Sequence, residues 1–119
     1  MSRKGDKIIC SIWSGPMYGI YIGFPNRDKH FKEEFKDQVR ILIEDKKCKA
    51  SLPSSFWNKC PEIRVARDET GRNFLSEWIS KNNLMPPTKS RRKKGKEDKV
   101  ILEVIEPYKV FKLSVLRDF

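Results

Sequence analysis

Val100-Ile101-Leu102-Glu103-Val104-Ile105-Glu106, then Pro107, then Tyr108-Lys109-Val110-Phe111-Lys112-Leu113-Ser114-Val115-Leu116: this stretch decides the fold class. Branched and aromatic residues dominate it, and in its second half polar residues alternate with apolar ones at period two, the spacing of a strand with one buried face. A turn at Glu106-Pro107 separates the runs, because proline has no N–H for a ladder. The pair reads as an antiparallel hairpin.

The same signature recurs upstream. Gln38-Val39-Arg40-Ile41-Leu42-Ile43-Glu44 alternates, Asp45-Lys46-Lys47 reads as a turn, and Cys48-Lys49-Ala50-Ser51-Leu52 as the partner strand. Ile8-Ile9-Cys10-Ser11-Ile12-Trp13 is a further strand, bounded by Ser14-Gly15-Pro16. Met17-Tyr18-Gly19-Ile20-Tyr21-Ile22-Gly23 fits a strand or an ordered loop, and residues 62–67 are extended until Asp68-Glu69-Thr70-Gly71 breaks the chain.

Helical signals are fewer. Residues 26–35 support one or two turns with Asn26 as a cap and Phe31 and Phe35 on one face. Residues 53–61 hold at most one turn. Residues 73–81 form the clearest helix: Phe74, Leu75, Trp78 and Ile79 make one apolar stripe, and Asn82-Asn83 ends it. Five to seven strands and two short helices imply a mainly β domain, a small mixed or open barrel, spanning residues 1–119.

Composition bounds the function. The 119 residues carry 26 Lys and Arg against 16 Asp and Glu, a net charge of +10, with 38% hydrophobic and 35% charged residues. That length supports one core, and the excess of cations points to a polyanionic partner. No run is long enough to span a membrane, so a soluble, cytoplasmic protein is expected. Cys10, Cys48 and Cys60 lie too far apart for paired zinc ligands and read as buried reduced thiols; no metal or cofactor is expected.

The order of segments resembles the DNA-recognition effector domain of EcoRII-type restriction endonucleases, which belongs with the plant B-three DNA-binding domains. The carriers are Tyr18-Gly19-Ile20-Tyr21-Ile22-Gly23, Asn26-Arg27-Asp28-Lys29-His30-Phe31, Ser55-Phe56-Trp57-Asn58-Lys59-Cys60-Pro61-Glu62-Ile63-Arg64, and Glu77-Trp78-Ile79 leading to Asn82-Asn83-Leu84. After the helix this chain departs from the family pattern, with Met85-Pro86-Pro87 and a basic run in place of a Gly-rich, Trp-containing stretch.

The resemblance implies a seven-stranded open pseudobarrel that grips duplex DNA with two arms in the major groove. It implies sequence-specific recognition as the target-recognition domain of a restriction system, with any nuclease in another domain or chain. The N-arm falls on residues 14–30 and the C-arm on residues 57–72. A monomer is expected for the isolated domain.

Reading a base edge takes a rigid donor fork or a donor–acceptor pair. Arg27 is the leading candidate, with Asp28 to orient it or accept from cytosine, and Lys29 beside them. Asn58, Lys59, Arg64, Arg67 and Arg72 can supply one or two further base contacts, the remainder going to phosphates. Lys93 and Lys94, in the basic loop at about 88–97, suit phosphate alone. Tyr18 is the aromatic expected at the DNA surface; Trp13, Trp57 and Trp78 are expected in the core.

No catalytic set emerges, since His30 has no nucleophile tied to it. The alternatives are an RNA or single-strand binder stacking bases on Tyr18, Tyr21 and Phe24, and a small metal-dependent nuclease on Asp37 and Glu44-Asp45-Lys46.

Overall fold

The computed structural model describes residues 2–13, 17–84 and 98–116. The basic loop with Lys93 and Lys94, and Ser14-Gly15-Pro16 in the N-arm, lie outside the described residues.

The C-terminal runs pair as their alternation requires. Strand β7 (Lys99–Glu106) lies antiparallel to β8 (Val110–Val115), with a register shift between Val104 and Glu106. The turn extends further than its proline suggests, because Tyr108 takes φ 69° and strand geometry resumes only at Val110. From there the sheet grows both ways. β7 pairs with β1 (Lys7–Trp13), β1 with β2 (Gly19–Tyr21), and β2 with β5 (Glu62–Ile63). On the other side β8 runs parallel to β3 (Arg40–Ile43), β3 pairs with β4 (Lys46–Ala50), and β4 with β6 (Ala66–Arg67).

The order is β5-β2-β1-β7-β8-β3-β4-β6, and its two edges are the two halves of one extended segment, residues 62–67. The sheet therefore closes almost completely on itself. A barrel of this kind leaves few unpaired strand edges. The architecture is the mainly β, open pseudobarrel, with eight strands in place of seven because the closing segment pairs twice.

The interior follows the alternation. Ile8, Ile12, Ile20, Ile41, Ile43, Ile63, Leu102 and Phe111 are fully enclosed. Among the described residues three helices and one 3-10 turn complete the fold: α1 (Phe24–His30), η1 (Glu33–Gln38), α2 (Ser54–Asn58) and α3 (Phe74–Lys81). Phe31, just after α1, stacks on Phe111 at 4.8 Å and meets Phe56 of α2 edge-on at 5.3 Å. The stripe Phe74, Leu75, Trp78 and Ile79 of α3 is buried, as its spacing requires.

Local details depart from the sequence reading. Asn26 does not cap α1; Gly23 does, at φ 92°, while the Asn26 amide donates to the Ile22 carbonyl at 3.3 Å. The β3–β4 turn is Glu44-Asp45, so Lys46 and Lys47 belong to β4 and not to the turn. Asn73 precedes α3 as its cap instead of opening it. At the other end Asn83 takes φ 53°, and the amides of Asn83 and Leu84 bond back to the carbonyls of Ser80 and Ile79. These are the two reversed bonds that close a helix through a left-handed residue.

Cys10 and Cys48 are buried, and burial pushes their thiols up to about 12 and about 11 respectively, so both stay protonated and inert. Cys60 is exposed, against the expectation of three buried thiols. No helix among the described residues is long and apolar enough to cross a membrane.

Candidate nucleic-acid interface

The two arms are joined at their roots. Ile20 of β2 pairs with Ile63 of β5, and the Ile22 amide donates to the Pro61 carbonyl at 2.8 Å. The approach is so close at Gly19 that a Cβ there would sit 2.5 Å from the Ile63 carbonyl oxygen. Only glycine permits this packing.

Arg27 makes the second join. Its Nη1 donates to the carbonyls of Phe56 and Trp57, at 3.3 and 3.0 Å, while Nε and Nη2 both donate to Asp28 Oδ1. The side chain is only 14% exposed and packs over the Phe24 ring. Those carbonyls belong to the last turn of α2, where no helical N–H reaches them. The fork that made Arg27 the leading base reader thus staples α1 to α2, and Asp28, 70% exposed, orients it from outside. Lys29, Asn58 and Lys59 remain exposed beside this staple.

Asn73 makes the third join, and its place before the apolar stripe signals a helix cap but not the further contacts. Its Oδ1 accepts from the Ala66 amide (3.1 Å) and the Ser76 amide (3.5 Å), and its Nδ2 donates to the Arg64 carbonyl (3.0 Å) and Met17 Sδ (3.5 Å). One amide therefore caps α3, holds the barrel-closing segment and touches the N-arm.

Arg64, Arg67 and Arg72 line this C-arm, each differently held. Arg64 lies over the Trp13 ring at 4.7 Å and reaches Glu62 at 3.5 Å. Arg67 is exposed and donates to the Gly71 carbonyl. Arg72 pairs with Glu77 at 2.8 Å on the open surface, where such a pair contributes little. The turn before it is organised by Asp68, whose Oδ1 accepts from the Thr70 hydroxyl and from the amides of Thr70 and Arg72. The Thr70 hydroxyl bond above all holds this carboxyl below its usual range.

A feature missed in the sequence emerges from the register. Arg40 of β3 pairs with Lys49 of β4, which pairs with Arg67 of β6. All three alternate with buried neighbours and so point outward, in a row about 4.8 Å per strand. Lys47 follows on the same face of β4. Among the described residues none of these four has a carboxylate within ion-pair distance. Like charges opposite one another on a sheet destabilise it. The alternation of Lys47 and Lys49 about Cys48 was the available signal, hidden by the assignment of Lys47 to a turn.

Of the aromatics, Tyr18 and Phe24 are exposed, Trp78 is core, and Trp57 is half-buried against Phe56 at 4.9 Å. Trp13 is only partly covered and serves as the platform for Arg64. His30 is buried, its Nδ1 2.8 Å from Ser2 Oγ, and burial pushes its pKa below the ordinary value. Asp37, in η1, and Glu44 stand at opposite ends of β3, so that nuclease pattern is not assembled. No cluster of three metal-ligating side chains occurs among the described residues. Comparison with protein-family models, with curated proteins and with solved structures returned no match.

Proposed function

We propose that this chain binds double-stranded DNA, the two joined arms entering the major groove and the barrel's basic face tracking the phosphates. The observation that carries the reading is the cation row Arg40, Lys49 and Arg67. Three positive side chains in adjacent register, without facing carboxylates among the described residues, repel one another in the free protein. Phosphates along a backbone turn that cost into binding, with counterion release adding to it. The row ends at Arg67, which lies in the C-arm, so backbone contacts and the arm belong to one surface.

Base reading then falls to Asn58, Lys59 and Lys29, exposed beside the Arg27 staple, and in the C-arm to the half-buried Arg64 and the exposed Arg72. Arg27 positions these groups rather than touching bases itself. In this reading recognition is sequence-specific, as in the restriction effector domains that the chain resembles, and cleavage belongs to another domain or chain.

A single-stranded ligand is the second reading, favoured by the exposure of Tyr18 and of Phe24, the latter 47% open with a guanidinium against it. A gel-shift panel of duplex DNA, single-stranded DNA and RNA, with and without magnesium, decides between them. Tight duplex-only binding without cleavage supports the first reading; preference for single strands overturns it.

A further inference from the structure

Between the N-arm and the barrel-closing segment runs an open groove of about 270 Å³, lined by Met17, Ser51, Pro53, Glu62, Arg64 and Val65. We propose that this groove receives one nucleobase, swung out of the bound duplex, with Glu62 and Arg64 holding the polar groups of its pairing edge. The inference rests on the duplex-binding reading above and adds a specific pocket to it.

Size and chemistry both support the occupant. Pockets for drug-sized molecules run about 300–1,000 Å³, so this groove suits a ligand of one flat ring system. Met17, Pro53 and Val65 supply apolar walls for its faces. Glu62 is 7% exposed, yet among the described residues its carboxylate accepts no hydrogen bond and has only the long 3.5 Å contact with Arg64. A buried carboxylate ordinarily fills its acceptor sites. The Glu62 oxygens are not among the sealed, unpartnered polar atoms of the described residues, so this mostly buried carboxylate stays open to an outside donor, and it lines the groove.

Arg64 stands two residues on, with its guanidinium laid on Trp13. The pair therefore offers an acceptor and a donor fork side by side. Every base presents on its pairing edge an N–H donor beside a ring or carbonyl acceptor (the exocyclic amine of cytosine, adenine and guanine, N3–H of thymine), and so matches this pair. The groove also lies where an extruded base would arrive, because Met17 comes from the N-arm segment and Glu62, Arg64 and Val65 from the C-arm segment, with Ser51 and Pro53 completing the wall. Enzymes and readers that extrude a base offset the unstacking through contacts of this kind to its pairing edge.

The test uses the full chain and a duplex carrying its selected target, with 2-aminopurine, itself an amine-bearing base, substituted at each position in turn. The expected result is a several-fold fluorescence rise at one position only on binding. Glu62→Gln should abolish that rise and weaken binding to the duplex about tenfold. Ser51→Trp, which fills the groove from an exposed position and leaves Glu62 in place, should do the same; circular dichroism checks that both variants fold. Duplex binding without any fluorescence rise overturns this inference alone, as does an unaltered rise in both variants. Failure to bind any duplex overturns the DNA reading and this inference with it.

Discussion

Arg27→Ala deletes the staple between α1 and α2, and its cost can be assembled from the contacts. The carbonyls of Phe56 and Trp57 lose the side-chain donor that Arg27 supplies. A buried acceptor left unpaired costs about 1–3 kcal/mol, and both of these bonds are only part-buried, so water limits each loss to the lower part of that range. The contact with Phe24 adds about 0.5–1 kcal/mol. The Asp28 pair adds less than about 1 kcal/mol, because the carboxylate is 70% exposed. The total is about 3 kcal/mol, a large part of the margin of a small domain. For a chain of this size that lowers Tm by about 10–15 °C. Arg27→Lys keeps one donor and the charge but not the fork, so about half the loss should remain. Thermal and urea unfolding of parent, Arg27→Ala and Arg27→Lys, beside titrations against a target duplex and its single-base variants, separate stapling from base reading. If Arg27→Lys melts with the parent yet loses discrimination at one base pair, the guanidinium faces DNA and the stapling argument is wrong.

The remaining predictions follow from the same surfaces. Six or so phosphate contacts give log K a slope against log salt of about −5, from about −0.9 per contact; a slope shallower than about −2 would mean that the charge serves no polyanion. Lys49→Gln should relieve the repulsion in the cation row, raising stability by about 0.2–1 kcal/mol while weakening all duplexes alike, and loss of both properties together would refute the row's role. Asn73→Ala should cost about 2–3 kcal/mol, a lost cap together with an Ala66 amide and an Arg64 carbonyl left unpaired, as read from urea midpoints. Burial lowers the His30 pKa below 6.5, so the unfolded chain binds the extra proton and stability is lost as pH falls through that region. His30→Asn should flatten the difference between unfolding midpoints at pH 7.5 and pH 5, and an unchanged difference would exclude His30 as its source.

Where a feature is periodic along the chain it was legible in advance. The strands declare themselves because alternation at period two leaves one face for the core, and the α3 stripe because 3.6-residue spacing gathers Phe74, Leu75, Trp78 and Ile79 on one side. Closure of the barrel had no such signal: residues 62–67 read as one extended run, and only the positions of β2 and β4 split it into two pairings. Arg27 shows the same limit at the site. Beside Asp28 it has the form of an exposed reader, and what reassigns it is a pair of α2 carbonyls about thirty residues away. The cation row is the extreme case, since residues 40, 49 and 67 become neighbours only through register. A one-residue slip of β4 would turn Lys49 inward and expose Cys48 and Ala50. The burial of Cys48 and Ala50 therefore fixes Lys49 on the outer face, between Arg40 and Arg67. The apolar half of β4, buried in the core, thus aligns the basic half on the outer face.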